Sequence, residues 1–420
     1  MIGAGLGIAA AILLLFVLAA IFSAQRKDVT QGFDEVAHLS YVAELQRRGD
    51  VWPRLETLRM LDPASFHFTD EANYLNHPPL YYALLARLGP TIENNAGAVF
   101  AHRFLNIVIA CLGLAAAMAI GLVARLDRLR LYAYCVPLVC IPVLAPLAGA
   151  VNNDNAAFAG GAITALAAWQ LLATGRTAWL WLATAGMVVA AVKLTGLTLA
   201  GGLLGGVLAY LLWRRRFPLR WMIPIALGGL IAAAPFIVFL QQYGSPTPST
   251  PALRDMLESG SRIAGWADAE RLSFFAYTAH FLAEFVTSWM PTLAPRGALH
   301  YVMLAIPVAA MLCGFAGLAV SLRRMAQRVE TSIDVIVTAG FGAIALTFAC
   351  HLVYSYQDHV ATGFMMAAYP RYYLPAAVIL PLAGLSLLSA VEQRRWRAGL
   401  LAFLIAGPLV FRLLGAPIGP

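Results

Sequence analysis

The chain has 420 residues, of which 60% are hydrophobic and 12% charged, with a formal net charge of +8 and a mean hydropathy of +0.74. Soluble domains carry about 25% charged residues, so this composition excludes a soluble enzyme and a disordered or fibrous chain. The apolar residues form continuous runs of about 20 residues, the length of a membrane-crossing helix. They do not form the alternating segments of about ten residues that outer-membrane barrels need. The sequence therefore predicts an all-α, multi-pass membrane protein.

About eleven apolar runs are predicted as transmembrane helices. They lie near residues 2–24, 100–124, 131–150, 155–173, 177–192, 195–213, 221–240, 300–321, 332–354, 372–390 and 398–415. Five short connections lie on one side of this topology, and four of them are dense in arginine: Arg125, Arg128 and Arg130; Arg214, Arg215, Arg216 and Arg220; Arg323, Arg324 and Arg328; and Arg394, Arg395 and Arg397. The fifth holds Arg176. The positive-inside rule places these connections in the cytoplasm. This distribution explains the net charge without nucleic acid as a partner.

Two long segments, 25–99 and 241–299, are predicted to face the outside, and the whole chain 1–420 is predicted to form one transmembrane domain. Loops of this length are usually functional. The first span has no basic segment before it, so we expect a retained anchor rather than a cleaved signal peptide. The five cysteines lie inside apolar runs, and we expect neither a disulfide nor a cysteine metal site.

Each long loop contains a pattern that predicts an amphipathic helix at the membrane surface. In the first loop the apolar positions Val36, Leu39 and Leu45 recur at helical spacing, and Gly49 ends the pattern. In the second loop the helical face is aromatic, with Phe274, Tyr277, Phe281 and Phe285.

Candidate functional residues begin where the first span ends. Asp34 and Glu35 stand next to each other at this point, where a carboxylate is costly to desolvate and often functional; the alternative is a pair that favours a helix start. Further along, His77 precedes Pro78 and Pro79, which can open a helix. The alternative for His77 is a capping or packing histidine.

The order of these motifs resembles that of the GT-C glycosyltransferase superfamily, in particular its protein O-mannosyltransferase-like and aminoarabinose-transferase-like branch. The Asp34-Glu35 pair is similar to the first acidic motif of that group, and His77-Pro78-Pro79-Leu80 is similar to its second. Three weaker matches follow in the same order: Val151-Asn152-Asn153-Asp154, Lys193-Leu194-Thr195-Gly196 and Tyr369-Pro370-Arg371-Tyr372-Tyr373-Leu374-Pro375.

This resemblance implies a GT-C-like bundle that transfers a sugar, with inversion, from a polyprenyl-phosphate-linked donor to a protein, lipid or glycan acceptor. Asp34 would be the base, with Glu35 as an orienting or secondary acid. Cations would stabilise the leaving phosphate. The remaining predicted substrate-binding residues are His77, Tyr81, Arg103, Asp154, Lys193, Arg371, Tyr372 and Tyr373. Packing or snorkelling at the interface is the alternative for Lys193 and Arg371, and helix capping is the alternative for Asp154.

Two other functions fit a polytopic protein: a transporter or flippase of a lipid-linked glycan, and a non-catalytic subunit of a cell-envelope complex. A transporter is expected to carry charges inside its spans and an internal repeat, and neither is evident. We expect the bacterial inner membrane, with its lipids as surroundings and the site on the periplasmic face. We expect no obligatory cofactor or metal, although carboxylates could hold a divalent cation: Asp34, Glu35, Asp70, Glu71 and Asp154.

Overall fold

The computed structural model describes residues 2–266, 271–288, 298–366 and 369–414. The α-helices of this part are α1 (Ile2–Arg26), α2 (Glu35–Arg48), α3 (Leu80–Leu88), α4 (Ala98–Val123), α5 (Arg128–Val139), α6 (Leu144–Ala148), α7 (Asp154–Thr174), α8 (Thr177–Ala190), α9 (Leu194–Trp213), α10 (Met222–Tyr243), α11 (Pro251–Ile263), α12 (Phe274–Thr287), α13 (Ala298–Gln327), α14 (Ser332–Thr362), α15 (Ile379–Ala390) and α16 (Arg394–Leu414). Three 3-10 segments are Leu55–Thr57, Leu219–Trp221 and Pro370–Ala376. Two short antiparallel strands, β1 (Arg59–Leu61) and β2 (Phe68–Ala72), pair within the first long loop.

The predicted all-α, multi-pass membrane class is confirmed. Eight helices of the described chain are long and apolar enough to cross a membrane, and the bent pair of Pro370–Ala376 and α15 makes a possible ninth. The prediction of about eleven full-length spans counted two runs that are shorter in the structure. The run near 131–150 is divided into α5 and α6, because Pro142 cannot continue the hydrogen bonding of α5. The run near 177–192 is the 14-residue helix α8.

The first long loop folds as a small layer of its own at one end of the bundle. Helix α2 begins at Glu35 and ends at Gly49, which takes a left-handed conformation (φ 72°) as a C-cap. Most of α2 is buried, including Leu39 and Tyr41, against the hairpin and α3. Helix α2 is therefore the predicted helix of the first loop, with its apolar residues packed on the hairpin and α3, and its position at the membrane surface stays a prediction. Ring stacking explains part of this burial, since Tyr41 and Tyr82 stack with centroids 4.0 Å apart.

The second long loop contributes α11 and α12. In α12, Tyr277 and Phe281 are buried against α14, as expected for the inner face of an amphipathic helix, whereas Phe275 is 85% exposed. Residues 267–270 and 289–297 of this loop lie outside the described part of the chain.

Helix α7 lies at the centre of the bundle and contacts α4, α8, α9 and the Pro370–Ala376 segment. Gly161 makes the last contact possible, because a Cβ atom there would lie 2.3 Å from the carbonyl oxygen of Pro375. The 3-10 segment, which carries Arg371, can therefore lie directly against α7. This packing brings a late part of the chain to the end of the bundle where α1 stops and α7 and α9 begin.

Candidate active site

The chain leaves α1 and enters α2 through a strained turn. Gly32, Phe33 and Asp34 all have positive φ angles of 81°, 63° and 56°, which cost roughly 1–3 kcal/mol for each non-glycine residue and often occur at functional sites. The side-chain amide of Asn152 donates to the carbonyl oxygen of Phe33 at 2.8 Å, and Lys27 Nζ donates to that of Gly32 at 3.2 Å. These two hydrogen bonds hold the turn in place.

The Asp34 carboxylate is directed away from α2. Asp34 occupies the N-cap position, but its side chain makes no capping hydrogen bond. Its Oδ1 accepts from the Tyr74 hydroxyl at 3.2 Å, and its Oδ2 accepts from Arg371 Nη2 at 3.1 Å. The side chain is 42% exposed. Asp34 is thus a positioned carboxylate that solvent and substrate can reach, and the helix-capping alternative does not describe it.

Arg371 connects Asp34 to a second carboxylate and a second cation. Its Nε lies 3.8 Å from Asp154 Oδ2, and Lys193 Nζ donates to Asp154 Oδ1 at 2.9 Å. Lys193 Nζ also lies 3.7 Å from the centre of the Tyr372 ring, a favourable cation–π distance. Four charged groups from four separate parts of the sequence therefore form one continuous cluster. In this text the charged cluster means Asp34, Asp154, Lys193 and Arg371.

Several polar atoms at the charged cluster have no hydrogen-bond partner in the structure. They are the buried atoms Arg371 Nε and Asp154 Oδ2; Thr195 Oγ1, two positions along the chain from Lys193, is also buried without a partner among the described residues. Thr195 lies in the first turn of α9, where free backbone N–H groups favour an anion. Buried donors are seldom left unpaired. The two donors, Arg371 Nε and Thr195 Oγ1, are therefore suited to an anionic ligand, whereas Asp154 Oδ2 is suited to a donor such as a sugar hydroxyl.

Two histidines form a wall of the site. The rings of His38 and His77 stack at 6.1 Å. Asn152 Nδ2 lies 3.0 Å from His38 Nε2, and because an amide can only donate there, His38 Nδ1–H must donate to the Tyr82 hydroxyl at 2.9 Å. Burial, and then the positive charge of Lys193, hold the pKa of both histidines well below the usual range, so both rings are neutral at pH 7.

Glu35 and Arg103 hold helix ends together rather than facing the open part of the site. Glu35 is fully buried, and both of its oxygens accept from Arg103 at 2.8 Å. Its Oε1 also accepts from the backbone N–H of Val151 at 2.9 Å, and Lys27 Nζ lies 3.3 Å from Oε2. Arg103 Nη1 donates to the carbonyl oxygen of Ala24 at 2.7 Å. Glu35 and Arg103 are both buried and paired with each other, which favours the orienting role predicted for Glu35 and gives Arg103 little open surface for a substrate; their roles stay predictions.

Two predicted tyrosines are also placed elsewhere. Tyr81 is 1% exposed, and its hydroxyl donates to Asn106 Oδ1 at 2.6 Å in the core. Tyr373 is buried among aromatic rings, with its hydroxyl 3.3 Å from His351 Nδ1 on α14. Neither hydroxyl contacts the charged cluster, since each is paired with a different side chain. Tyr372, the neighbour of Tyr373, does reach it.

The site therefore combines six of the predicted residues, namely Asp34, His77, Asp154, Lys193, Arg371 and Tyr372. Sequence reasoning missed Lys27, Tyr74 and Asn152 as its supports, and it missed His38. The position of His38 gave a usable signal, since it lies one helical turn after Asp34.

The charged cluster does not have the donor set of a metal site. No group of three or more His, Cys, Asp or Glu side chains within the described ranges is arranged to hold a metal ion. Asp70 and Glu71 lie exposed on β2. The cations Lys193 and Arg371 already lie between and beside the two carboxylates of the cluster and neutralise them.

No family model matches the sequence, and no curated protein matches it. Among solved structures, the chain is similar to ArnT from Cupriavidus metallidurans bound to undecaprenyl phosphate, with 14% identity and a TM-score of 0.46. The same protein in its apo state gives 15% identity and a TM-score of 0.47. The similarity covers 93% and 94% of this chain but 61% and 62% of the ArnT chains, so this chain spans about three fifths of their length.

Proposed function

We propose that the protein is an inverting glycosyltransferase that moves a sugar from a polyprenyl-phosphate-linked donor to an acceptor hydroxyl at the outer face of the bacterial inner membrane. The observation that carries this proposal is the ion pair between Asp34 and Arg371, which places a reachable carboxylate beside a buried cation. A transfer from a lipid phosphate needs a base for the incoming hydroxyl and positive charge for the leaving group, and the pair supplies both.

The donor phosphate fits between Lys193 and Arg371. A guanidinium can bind two phosphate oxygens side by side, and the unpartnered Arg371 Nε is available for one of them. The free hydroxyl of Thr195 and the first turn of α9 add further donors to an anion at this position. As the anomeric C–O bond breaks, its electron pair stays with the phosphate oxygen, whose growing charge these groups stabilise.

Asp34 acts on the other side of the reaction. The acceptor oxygen attacks the anomeric carbon on the face opposite the phosphate, and its proton passes to the Asp34 carboxylate. The transfer therefore exchanges one C–O bond for another with inversion, and it needs no redox partner. The neutral ring of His77 has no hydrogen-bond partner among the described side chains and lies over His38, so it is free to orient a hydroxyl group.

An apolar groove of about 240 Å³ provides a place for the prenyl chain. It is lined by Val51, Trp52, Pro79, Leu80, Val188, Ala191, Ile231, Ala234, Pro235 and Val238. Two lining residues come within two positions of site residues along the chain, since Pro79 follows His77 and Ala191 precedes Lys193. A lipid with its phosphate at Lys193 can therefore leave its first isoprene units in this groove.

The two ends of α9 support the proposal that the charged cluster faces the outside of the membrane. Lys193 caps the start of this 20-residue helix, and Arg214 follows its end. At 1.5 Å per residue, α9 is about 30 Å long, the thickness of the hydrocarbon core. The arginines that follow α9 therefore lie at the end of the helix opposite the charged cluster, and the positive-inside rule supports an outer position for the cluster.

The test is Asp34→Asn, which keeps the shape of the side chain but removes its basicity. We expect transfer to fall about 10²- to 10⁴-fold, while the purified variant keeps its thermal unfolding temperature and its affinity for polyprenyl phosphate. Asp70→Asn, an exposed carboxylate of the same loop, is the matched control and should leave transfer unchanged. Wild-type transfer by Asp34→Asn would reject Asp34 as the base, and a flippase would keep lipid translocation in both variants.

A further inference from the structure

A second apolar groove lies in the half of the bundle that is remote from the charged cluster. Its volume is about 330 Å³, within the range of about 300–1,000 Å³ that is usual for ligand sites. It runs between α9 and α14, and the last turns of α13 border it. The lining residues are Gly202, Gly206, Tyr210, Met325, Val335, Thr338, Ala339, Gly342, Ala343 and Leu346.

Close packing of α9 on α14 does not fill this groove. A Cβ atom at Gly206 would lie 2.7 Å from the Cβ atom of Ala339, so Gly206 is needed for the contact between the helices. Gly342, in contrast, has no heavy atom within 4 Å of a Cβ atom built there. Thr338 Oγ1 lines the groove without a hydrogen-bond partner. The groove is therefore open space beside the helix contact, with a free hydroxyl in its wall.

Arginines lie beside one end of the groove. The guanidinium of Arg214 lies 5.6 Å from the centre of the Tyr210 ring, which lines the groove, and it is paired with Glu330. Arg328 lies in the left-handed turn after α13, where its backbone N–H donates to the carbonyl oxygen of the lining residue Met325, and it has no ion pair in the part of the chain that the structure describes. Since Arg214 is balanced by Glu330, Arg328 adds one unbalanced positive charge to the turn beside this end of the groove.

Glu330 has a buried carboxylate oxygen that a ligand at this end of the groove could pair with. Its Oε1 accepts from the Tyr210 hydroxyl at 2.7 Å, whereas its Oε2 is buried without a partner. A carboxylate oxygen in this position needs a donor. An occupant that combines an apolar chain, a phosphate and a hydroxyl-bearing head would satisfy the groove, Arg328 and Glu330 together.

We propose that this groove binds one anionic phospholipid with a hydroxyl-bearing headgroup, taken from the leaflet on the arginine-rich side. An acyl chain lies along Gly342 and Ala343, the phosphate pairs with Arg328, and a headgroup hydroxyl donates to Glu330 Oε2. Basic pockets between helices on this side of a membrane are suited to anionic lipids. The site is independent of the proposed sugar transfer, since it lies at the other end of α9.

The proposal is tested by native mass spectrometry of the full-length protein, released from detergent after incubation with phosphatidylglycerol, phosphatidylethanolamine or phosphatidylcholine. We expect one phosphatidylglycerol to be retained in preference to the other two lipids. Gly342→Leu fills the groove and should remove this retention. Gly205→Leu is the matched control, because a Cβ atom at this exposed α9 position also meets nothing within 4 Å but does not line the groove.

Arg328→Gln keeps the groove and removes the charge, so it separates the two parts of the proposal. We expect the preference for phosphatidylglycerol over phosphatidylcholine to fall about fivefold, the effect of one cation at a membrane surface. Equal retention of all three lipids, or a preference for phosphatidylethanolamine, would overturn the proposed headgroup. Retention unchanged by Gly342→Leu, or a dimer that this variant abolishes, would overturn the proposed occupant.

Discussion

Arg371 and Asp34 are in contact, with Nη2 of the arginine 3.1 Å from Oδ2 of the aspartate, although 337 positions separate them in the sequence. The contact joins the strained turn after α1 to the 3-10 segment that packs on α7. Each residue is exposed to a different extent, with the arginine side chain 16% and the aspartate side chain 42% accessible. The cation is therefore fixed, while the carboxylate remains open to a substrate.

The first prediction concerns donor binding. Arg371→Ala should weaken the affinity for polyprenyl phosphate about 10- to 150-fold, the range that corresponds to one charged hydrogen bond, with little change in acceptor preference. The measurement is equilibrium binding of the prenyl phosphate to the purified protein. Arg87→Ala, at an exposed position of α3, is the control and should bind normally. Equal affinities for Arg371→Ala and the wild type would exclude Arg371 as a phosphate ligand.

The second prediction concerns stability. Glu35→Gln leaves Arg103 and Lys27 buried without their counter-charge, and we expect it to lower the free energy of unfolding by about 3–5 kcal/mol. Unfolding in detergent, followed by circular dichroism, measures this loss. Arg130→Gln removes an exposed pair with Asp127 and should cost only about 0–1 kcal/mol. A similar small effect for both variants would contradict the positioning role of Glu35.

The third prediction concerns pH. The folded protein keeps His38 neutral, because burial and then the charges of Lys193 and Arg371 lower its pKa, whereas the unfolded chain binds a proton below about pH 6.5. The unfolded state therefore binds more protons between these two pKa values, and stability is lost as the pH falls below about 6.5, by about 1.4 kcal/mol per pH unit for each such histidine. Above that pH the contribution is constant.

Unfolding temperatures measured from pH 7.5 to pH 5 check this expectation. His38→Gln should give a flatter profile than the wild type, since one of the two neutral histidines is removed. His67→Gln, at an exposed position of the first loop, should leave the slope as it is. The same slope in all three proteins would mean that His38 does not resist protonation in the folded state.

The fourth prediction concerns metal ions. Lys193 and Arg371 already neutralise Asp154 and Asp34, so transfer should be unchanged after dialysis against EDTA. The assay compares initial rates before and after chelation, with added Mg²⁺ or Mn²⁺ as the control. Loss of transfer that either ion restores would show that a divalent cation belongs to the site.

The sequence was sufficient to predict the class of the fold, and together with the resemblance it named the four residues that the structure brings together in the charged cluster; their roles stay predictions. Lys193 and Arg371 are isolated charges at the ends of apolar runs, and such charges are costly unless they have a role. Asp34 was found for the same reason. These predictions depend on the cost of desolvating a charged side chain, and a charge at the end of an apolar run can be recognised from the sequence alone.

The different roles of neighbouring residues could not be predicted in this way. Asp34 and Glu35 look equivalent in sequence, but the left-handed turn directs one carboxylate to Arg371 and the other to Arg103. Tyr372 and Tyr373 diverge in the same manner, because a 3-10 segment points successive side chains in different directions. The direction of each side chain depends on the backbone angles and on partners far away in the sequence, and no local sequence pattern predicts it.

The residues of the two ion pairs, Glu35 with Arg103 and Asp34 with Arg371, are synthesised at different times. Arg103 is synthesised 68 positions after Glu35, so their ion pair can form early in synthesis. Arg371 emerges 337 positions after Asp34, which is about 20–70 s later at about 5–20 residues per second. During that interval the nascent protein carries Asp34 without the cation that contacts it, and a truncated product that stops before residue 371 lacks the residue that we propose as a phosphate ligand.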